Sequence, residues 1–318
     1  MFILVTVLLL TTAGFVYKYR NLLTFANGRL KRSNKPQRKS TMGDDKFIEL
    51  SFGTVHYIYS PSSTSHLNIF VHGFSIPMEI WQDVYESFVR DNQACLIFDL
   101  YGRGYSDAPD VPMNVDLFVS QLAELLYALD LPYEKYNLFG VSMGGVIVQR
   151  FTQLHPRKVS KLILCCPAGL NIKAPSKLIM SLLAIPIIGP TAFQLVMARG
   201  ESKSVRDQWA YPGSDKYRIF MQLFRDACEQ HPGYVRSLYS TVVNFDFRSY
   251  LNSTYQFNIP ILIVWGDKDA LIPVQNAYDY KKLYKDAVLS IVPGANHSLL
   301  IEHPNESIEA MKAFLKGN

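Results

Sequence analysis

The chain has 318 residues, 48% of them hydrophobic, which supplies core material for one large domain or two small ones. Its four cysteines, Cys95, Cys165, Cys166 and Cys228, form no CxxC pair, so a disulfide framework, a zinc ribbon and a redox motif all lack support. The net charge of +5 belongs to eight basic residues between Lys18 and Lys39; the remaining chain carries −3, which leaves no basic excess for a nucleic-acid-binding surface.

Met1 to Tyr17 contains no charged side chain. As a helix it would reach roughly 25 Å, the short end of a bilayer span. Residues 1–20 therefore read as an amino-terminal membrane anchor and 21–45 as a basic linker. The Lys18–Lys39 cluster directly after the apolar run places the bulk of the chain on the cytoplasmic side. It also suits contact with anionic head groups. The competing reading is a cleaved signal peptide and a secreted protein. Such peptides begin with a positive region, and here only the α-amine precedes the apolar run.

From Phe47 to Tyr59 the pattern alternates around Gly53, as a hairpin does. Short apolar runs follow at Leu67–Val71, Ala94–Leu100, Tyr136–Gly140, Val159–Cys165, Ile259–Trp265 and Val288–Val292. Helical patterns fall among them at Ile80–Arg90, Val115–Leu129, Met143–Leu154, Val274–Tyr284 and Asn305–Leu315. Strands without polar alternation, separated by helices, indicate an α/β fold with a mostly parallel sheet covered on both faces. Gly169 to Tyr250 breaks the rhythm and is helical in character. The expected division is a core over 46–168, a helical cap over 169–250 inserted after strand 6, and the rest of the core over 251–318. The cap contains 21 uncharged residues, Leu178–Ala198, but Pro186, Gly189 and Pro190 argue against a second membrane span there.

The central motif is Gly140-Val141-Ser142-Met143-Gly144, between a strand pattern and a helix pattern. A GxSxG in that context is a nucleophile elbow, with Ser142 on a tight strand-to-helix turn. His72-Gly73-Phe74-Ser75 follows an earlier strand. The backbone amides of Phe74 and Met143 are the expected oxyanion donors, and His72 is read as structural. His297, in Gly294-Ala295-Asn296-His297 after the last strand, is the expected base. Gly266-Asp267-Lys268-Asp269 follows the strand before. Asp269 lies deeper in that loop and is the expected acid, with Asp267 shaping the loop.

The order Ser, Asp, His is that of the α/β-hydrolases. The chain resembles that family from about Phe47 to its carboxyl terminus. Asp99-Leu-Tyr-Gly-Arg-Gly-Tyr-Ser-Asp107 resembles the family's structural loop after strand 4. His72-Gly-Phe-Ser75, Ser142-Met-Gly-Gly145 and Cys166-Pro-Ala-Gly-Leu170, with the amino-terminal segment, resemble membrane-anchored monoacylglycerol lipases. The resemblance implies an eight-stranded α/β-hydrolase fold, the same three triad positions, and hydrolysis of a lipid-like acyl ester. That chemistry requires neither a metal nor an organic cofactor, and no nucleic-acid partner is expected.

Serine at the elbow argues against the dehalogenase and epoxide-hydrolase branches, which the resemblance implies use a carboxylate nucleophile. A carbon–carbon bond hydrolase and a non-catalytic ligand-binding protein of the same fold remain as alternatives. The glycosylation sequons at Asn252, Asn296 and Asn305 are read as chance matches, because a glycan on Asn296 would obstruct the base beside it.

Overall fold

The computed structural model describes residues 42–170, 177–186, 188–198, 203–231, 233–247 and 257–317. The expected anchor and nearly all of the basic linker lie outside them. Eight strands form one sheet: β1 Lys46–Leu50, β2 Gly53–Ser60, β3 His66–Val71, β4 Cys95–Phe98, β5 Lys135–Val141, β6 Val159–Cys165, β7 Ile261–Gly266 and β8 Val288–Val292. Their spatial order is β1-β2-β4-β3-β5-β6-β7-β8. The β1–β2 hairpin is antiparallel, and β2 lies antiparallel to β4. From β4 through β8 every pair is parallel.

The inner strands carry almost no exposed side chains, from Cys95–Phe98 to Ile261–Gly266. That is the mark of a sheet buried on both faces, and it is why these strands read as apolar runs without alternation. Helices α1 Gln82–Arg90, α2 Val115–Leu129 and α3 Met143–Leu154 follow β3, β4 and β5 in the chain. Asn114 caps α2 by accepting the Leu117 N–H at 2.9 Å. The aromatic heart of the core joins Phe70 of β3 to Phe139 of β5, with ring centroids 4.6 Å apart, and Phe88 of α1 meets both.

Two local expectations shift. The helical pattern Ile80–Arg90 begins as a 3₁₀ turn, Met78–Trp81, whose amide Met78 N donates to the buried Asp99 carboxylate at 3.1 Å. The run Ala94–Leu100 yields a strand over Cys95–Phe98 alone, because the Asp99 side chain and the Leu100 amide are drawn off into loop hydrogen bonds.

Between β6 and β7 the described residues are helical: α4 Lys177–Leu183, α5 Ile188–Ala198, α6 Lys203–Arg206, α7 Asp215–Gln230 and α8 Tyr234–Asn244. The uncharged stretch Leu178–Ala198 is thus two short helices separated around Pro186. Among the described residues no helix is long and apolar enough to cross a membrane. The chain ends with α9 Gln275–Leu283, α10 Leu299–Glu302 and α11 Pro304–Lys316.

Candidate active site

Ser142 joins β5 to α3 with φ 53° and ψ −118°, a backbone conformation that costs a non-glycine residue about 1–3 kcal/mol. Three backbone bonds hold it there. Its N–H donates to Cys165 O, and its carbonyl accepts from the N–H groups of Gly145 and Ala168, each at 3.0 Å. The flanking glycines are required by close approach. A Cβ on Gly144 would lie 2.3 Å from Val71 O, and one on Gly140 would lie 2.6 Å from Gly144 O.

The loop after β3 comes against this elbow. A Cβ on Gly73 would lie 3.4 Å from Ser142 Cβ and 3.9 Å from its Oγ. The Gly73–Phe74 peptide therefore borders the serine hydroxyl. Met143 is the first residue of α3, and a helix leaves its leading N–H groups without intrahelical partners. Both expected oxyanion donors thus belong to backbone beside Ser142. His72 is fully buried, and burial pushes its pKa down to about 4. Its Nε2 accepts the Leu100 N–H at 2.9 Å, so Nδ1 carries the proton and donates to Gly73 O at 2.9 Å. A neutral imidazole used at both nitrogens ties the β3 and β4 loops together and is not available as a base.

Asp269 follows β7, and His297 follows β8. Both are buried, at 5% and 8% exposure. His297 Nδ1 meets Asp269 Oδ2 at 2.8 Å. The other carboxylate oxygen accepts the N–H groups of Leu271 (3.0 Å) and Ile272 (2.8 Å), which fixes the plane of the carboxylate. With Asp269 ionised, His297 Nδ1 is the donor, and Nε2 is left as the basic nitrogen. Asp267 accepts the Gly294 N–H at 2.7 Å and so braces the neighbouring loop. Ser142, Asp269 and His297 all follow carboxyl ends of parallel strands, where an open α/β sheet places its sites.

Two residues to which the sequence assigned no part in the site lie at this corner. Asn296 Oδ1 accepts the N–H groups of His297 (2.8 Å) and Ala270 (3.0 Å), while its amide donates to Asp207 O at 2.9 Å. The sequon at Asn296 thus has a buried side chain bonded through both its oxygen and its nitrogen. Cys166 Sγ lies with donor atoms of Asp269 and His297, all within 4.8 Å of one another. Burial first, and then the Asp269 charge, push its thiol pKa far up. A metal needs the thiolate, and the carboxylate and imidazole are already bonded to each other, so this set is poorly suited to an ion.

A family model described as the α/β hydrolase fold matches residues 69–304. A monoacylglycerol lipase from Xenopus laevis is 23% identical over 274 residues, spanning 83% of this chain and 80% of its own length. The human monoacylglycerol lipase of that type is 22% identical over 253 residues, 78% of this chain and 74% of its own. Among solved structures, the epoxide hydrolase CorEH superposes with a TM-score of 0.70 at 17% identity, covering 86% of this chain and 98% of its own.

Proposed function

The chain belongs to the α/β hydrolase fold family, and from that footing we propose that it is a serine hydrolase of lipid-like carboxylic esters. The observation that carries the reading is the elbow itself. Ser142 at φ 53° stands against the Gly73 loop, with a buried Asp269–His297 pair at the same sheet edge. Named relatives of monoacylglycerol lipase type support the substrate class.

In the cycle, His297 Nε2 takes the proton of Ser142 as Oγ attacks the ester carbonyl. The Phe74 and Met143 amides hold the tetrahedral oxyanion, each donor worth about 2.7–4 kcal/mol. His297 returns the proton to the departing alcohol. Water, deprotonated by the same imidazole, then releases the acid and restores Ser142. Asp269 holds the tautomer and stabilises the imidazolium. A serine nucleophile separates this chemistry from the carboxylate-based branch of the fold, so likeness to an epoxide hydrolase carries the fold alone.

We read residues 169–250 as the cap over this site and 46–168 with 251–318 as the core. Its helices α4 and α5 expose Leu178 (70%), Ile188 (58%), Leu182 and Ile179 (both 50%), an apolar surface that suits a lipid substrate better than a small polar one. We read residues 1–20 as a membrane anchor and Lys18–Lys39 as its cytoplasmic, lipid-facing flank.

The test pairs purified protein with Ser142→Ala. The parent should hydrolyse 2-acylglycerols and label with a fluorophosphonate, and the variant should lose both while keeping its circular dichroism. Activity confined to short p-nitrophenyl esters would remove the lipid assignment. For the anchor, the full chain should stay with membranes in alkaline carbonate, and a chain lacking residues 1–20 should be released.

A further inference from the structure

Arg103 lies in the loop after β4, between two glycines in left-handed conformation, and its side chain has no solvent exposure. Its acceptors are all neutral. Nε donates to Phe74 O at 3.0 Å, Nη1 to Tyr101 O at 3.1 Å, and Nη2 to the Thr241 hydroxyl at 2.8 Å. The guanidinium also faces the Phe74 and Phe118 rings, 5.6 and 5.4 Å from their centroids. Among the described residues no carboxylate pairs with it. Burial lowers its pKa to about 10, which leaves it charged at neutral pH.

A buried ion with no carboxylate partner among the described residues is expensive, and a hydrophobic residue would fill the space more cheaply. What Arg103 supplies instead is a rigid planar fork. One prong grips the loop that borders Ser142. Another grips Thr241, fully buried on cap helix α8, whose hydroxyl in turn donates to Ser237 O at 2.8 Å. The same helix reaches the same loop a second time, since the Tyr234 hydroxyl donates to Ser75 O at 2.7 Å. Gly102 lets the β4 loop pass under α8, where a Cβ would lie 2.1 Å from Ser237 Oγ.

We propose that Arg103 is the positioning residue of the oxyanion loop: it holds Phe74 by its carbonyl, in the peptide next to the one that carries the donor N–H, and locks that loop to cap helix α8 through Thr241. The proposal rests on reading Phe74 as an oxyanion donor. A cap displaced at α8 would shift the donor, so the alignment needed for chemistry depends on the cap being seated. The fixed positive charge beside the loop also favours the anion that forms there.

The experiment compares the full-length parent with Arg103→Met, Arg103→Lys, Thr241→Val and the Arg103→Lys/Thr241→Val double variant on p-nitrophenyl butyrate. Rates are expressed per active site titrated to completion with a fluorophosphonate, so loss of folded protein does not count. Arg103→Met should lower kcat about 10- to 100-fold with KM within about threefold, the pattern of a misplaced transition-state donor. Arg103→Lys should recover a fraction of that loss, because an ammonium keeps the charge without the fork. Thr241→Val should cost several-fold, and the double variant should be no worse than Arg103→Lys alone, since both break one link. A kcat per titrated site within twofold of the parent for Arg103→Met would overturn the proposal. So would additive losses in the double variant. Should Arg103→Met fail to fold, the Lys and Val variants with their cycle decide. Ser142→Ala separates the levels: if it stays active, the hydrolase reading fails; if it is dead and Arg103→Met is normal, only the role of Arg103 fails.

Discussion

Replacing Asp269 with Asn removes one charge and almost no volume, and the surrounding bonds dictate the consequence. Asp269 Oδ1 receives two backbone N–H groups, from Leu271 and Ile272. In Asp269→Asn the amide oxygen must keep that place. Flipping it would turn the NH₂ toward two buried donors and leave both unsatisfied, at about 1–3 kcal/mol each. The NH₂ therefore faces His297 Nδ1, which lies 2.8 Å from Oδ2 in the parent. A donor there forces Nδ1 to accept, so the proton moves to Nε2. The imidazole can then no longer take the Ser142 proton. The same swap in serine-protease triads lowers kcat by about 10⁴-fold, or about 5.5 kcal/mol of barrier. The variant should lose activity on this scale with a melting temperature close to the parent, because both backbone bonds survive. Steady-state kinetics on a p-nitrophenyl ester and a thermal melt decide it. A folded Asp269→Asn within tenfold of the parent would refute the tautomer argument.

Three further outcomes follow from the same structure. Gly144→Ala forces a Cβ to 2.3 Å from Val71 O and 2.5 Å from His72 O; displacement of the β3 end should cost about 1–3 kcal/mol or more in a denaturant titration and lower kcat as well. His56 is fully buried between Asp99 (2.7 Å) and Asp45 (2.9 Å); burial disfavours its charge, but the Asp99 and then the Asp45 interactions outweigh burial and raise its pKa above 6.5. A raised folded pKa stabilises fully below the unfolded value and is lost as pH rises through the folded one, so the melting gap between the parent and His56→Gln should be widest near pH 5–6 and narrow as the medium turns alkaline; a gap that widens with pH contradicts the pairing. Finally, Leu178→Ser with Ile188→Ser alters residues 70% and 58% exposed, so stability should change by about 0.5 kcal/mol or less per site; hydrolysis of 2-acylglycerol in vesicles should fall while that of p-nitrophenyl acetate holds, and equal losses on both would count against a lipid-facing cap.

The sheet was legible because its inner strands are buried on both faces, so each wrote a mostly apolar run without polar alternation, the buried Asn68 and Asn137 in β3 and β5 bonding to each other across the two strands. The runs ending at Val71, Gly140 and Val292 matched strands to within a residue or two. The places of Ser142, Asp269 and His297 after strand ends were legible for a related reason. They sit at junctions between an apolar run and a glycine, where chain direction changes and few residue types fit. The supports were not legible. Asn296 and Arg103 act through side-chain bonds to backbone 26 and 29 residues away, and nothing local in the sequence encodes such a bond. Asn296 even presented a misleading local pattern, the sequon. The stretch between β6 and β7 was legible as helical but not in its packing, because Phe193, Tyr234 and Leu238 form a small cluster whose neighbours include Phe224 and the distant Phe74.

This division has a physical cause. Chemistry here depends on angles of a few backbone amides and one imidazole, and those are anchored to strand ends that the core holds rigid. In the division we propose, substrate choice falls to the cap, whose helices carry apolar residues outward and meet the core through bonds such as Tyr234 to Ser75 and Arg103 to Thr241. The outward faces of α4 and α5 can change without touching the Asp269–His297 pair, whereas Asp207 and Gln208 bond to Asn296 and Ser298 beside the base, and a change at Gly144 reaches the β3 end and the oxyanion loop together. Substitutions on the outer surface of α4 and α5 should therefore redirect specificity, and those at the α8 contact should alter rate.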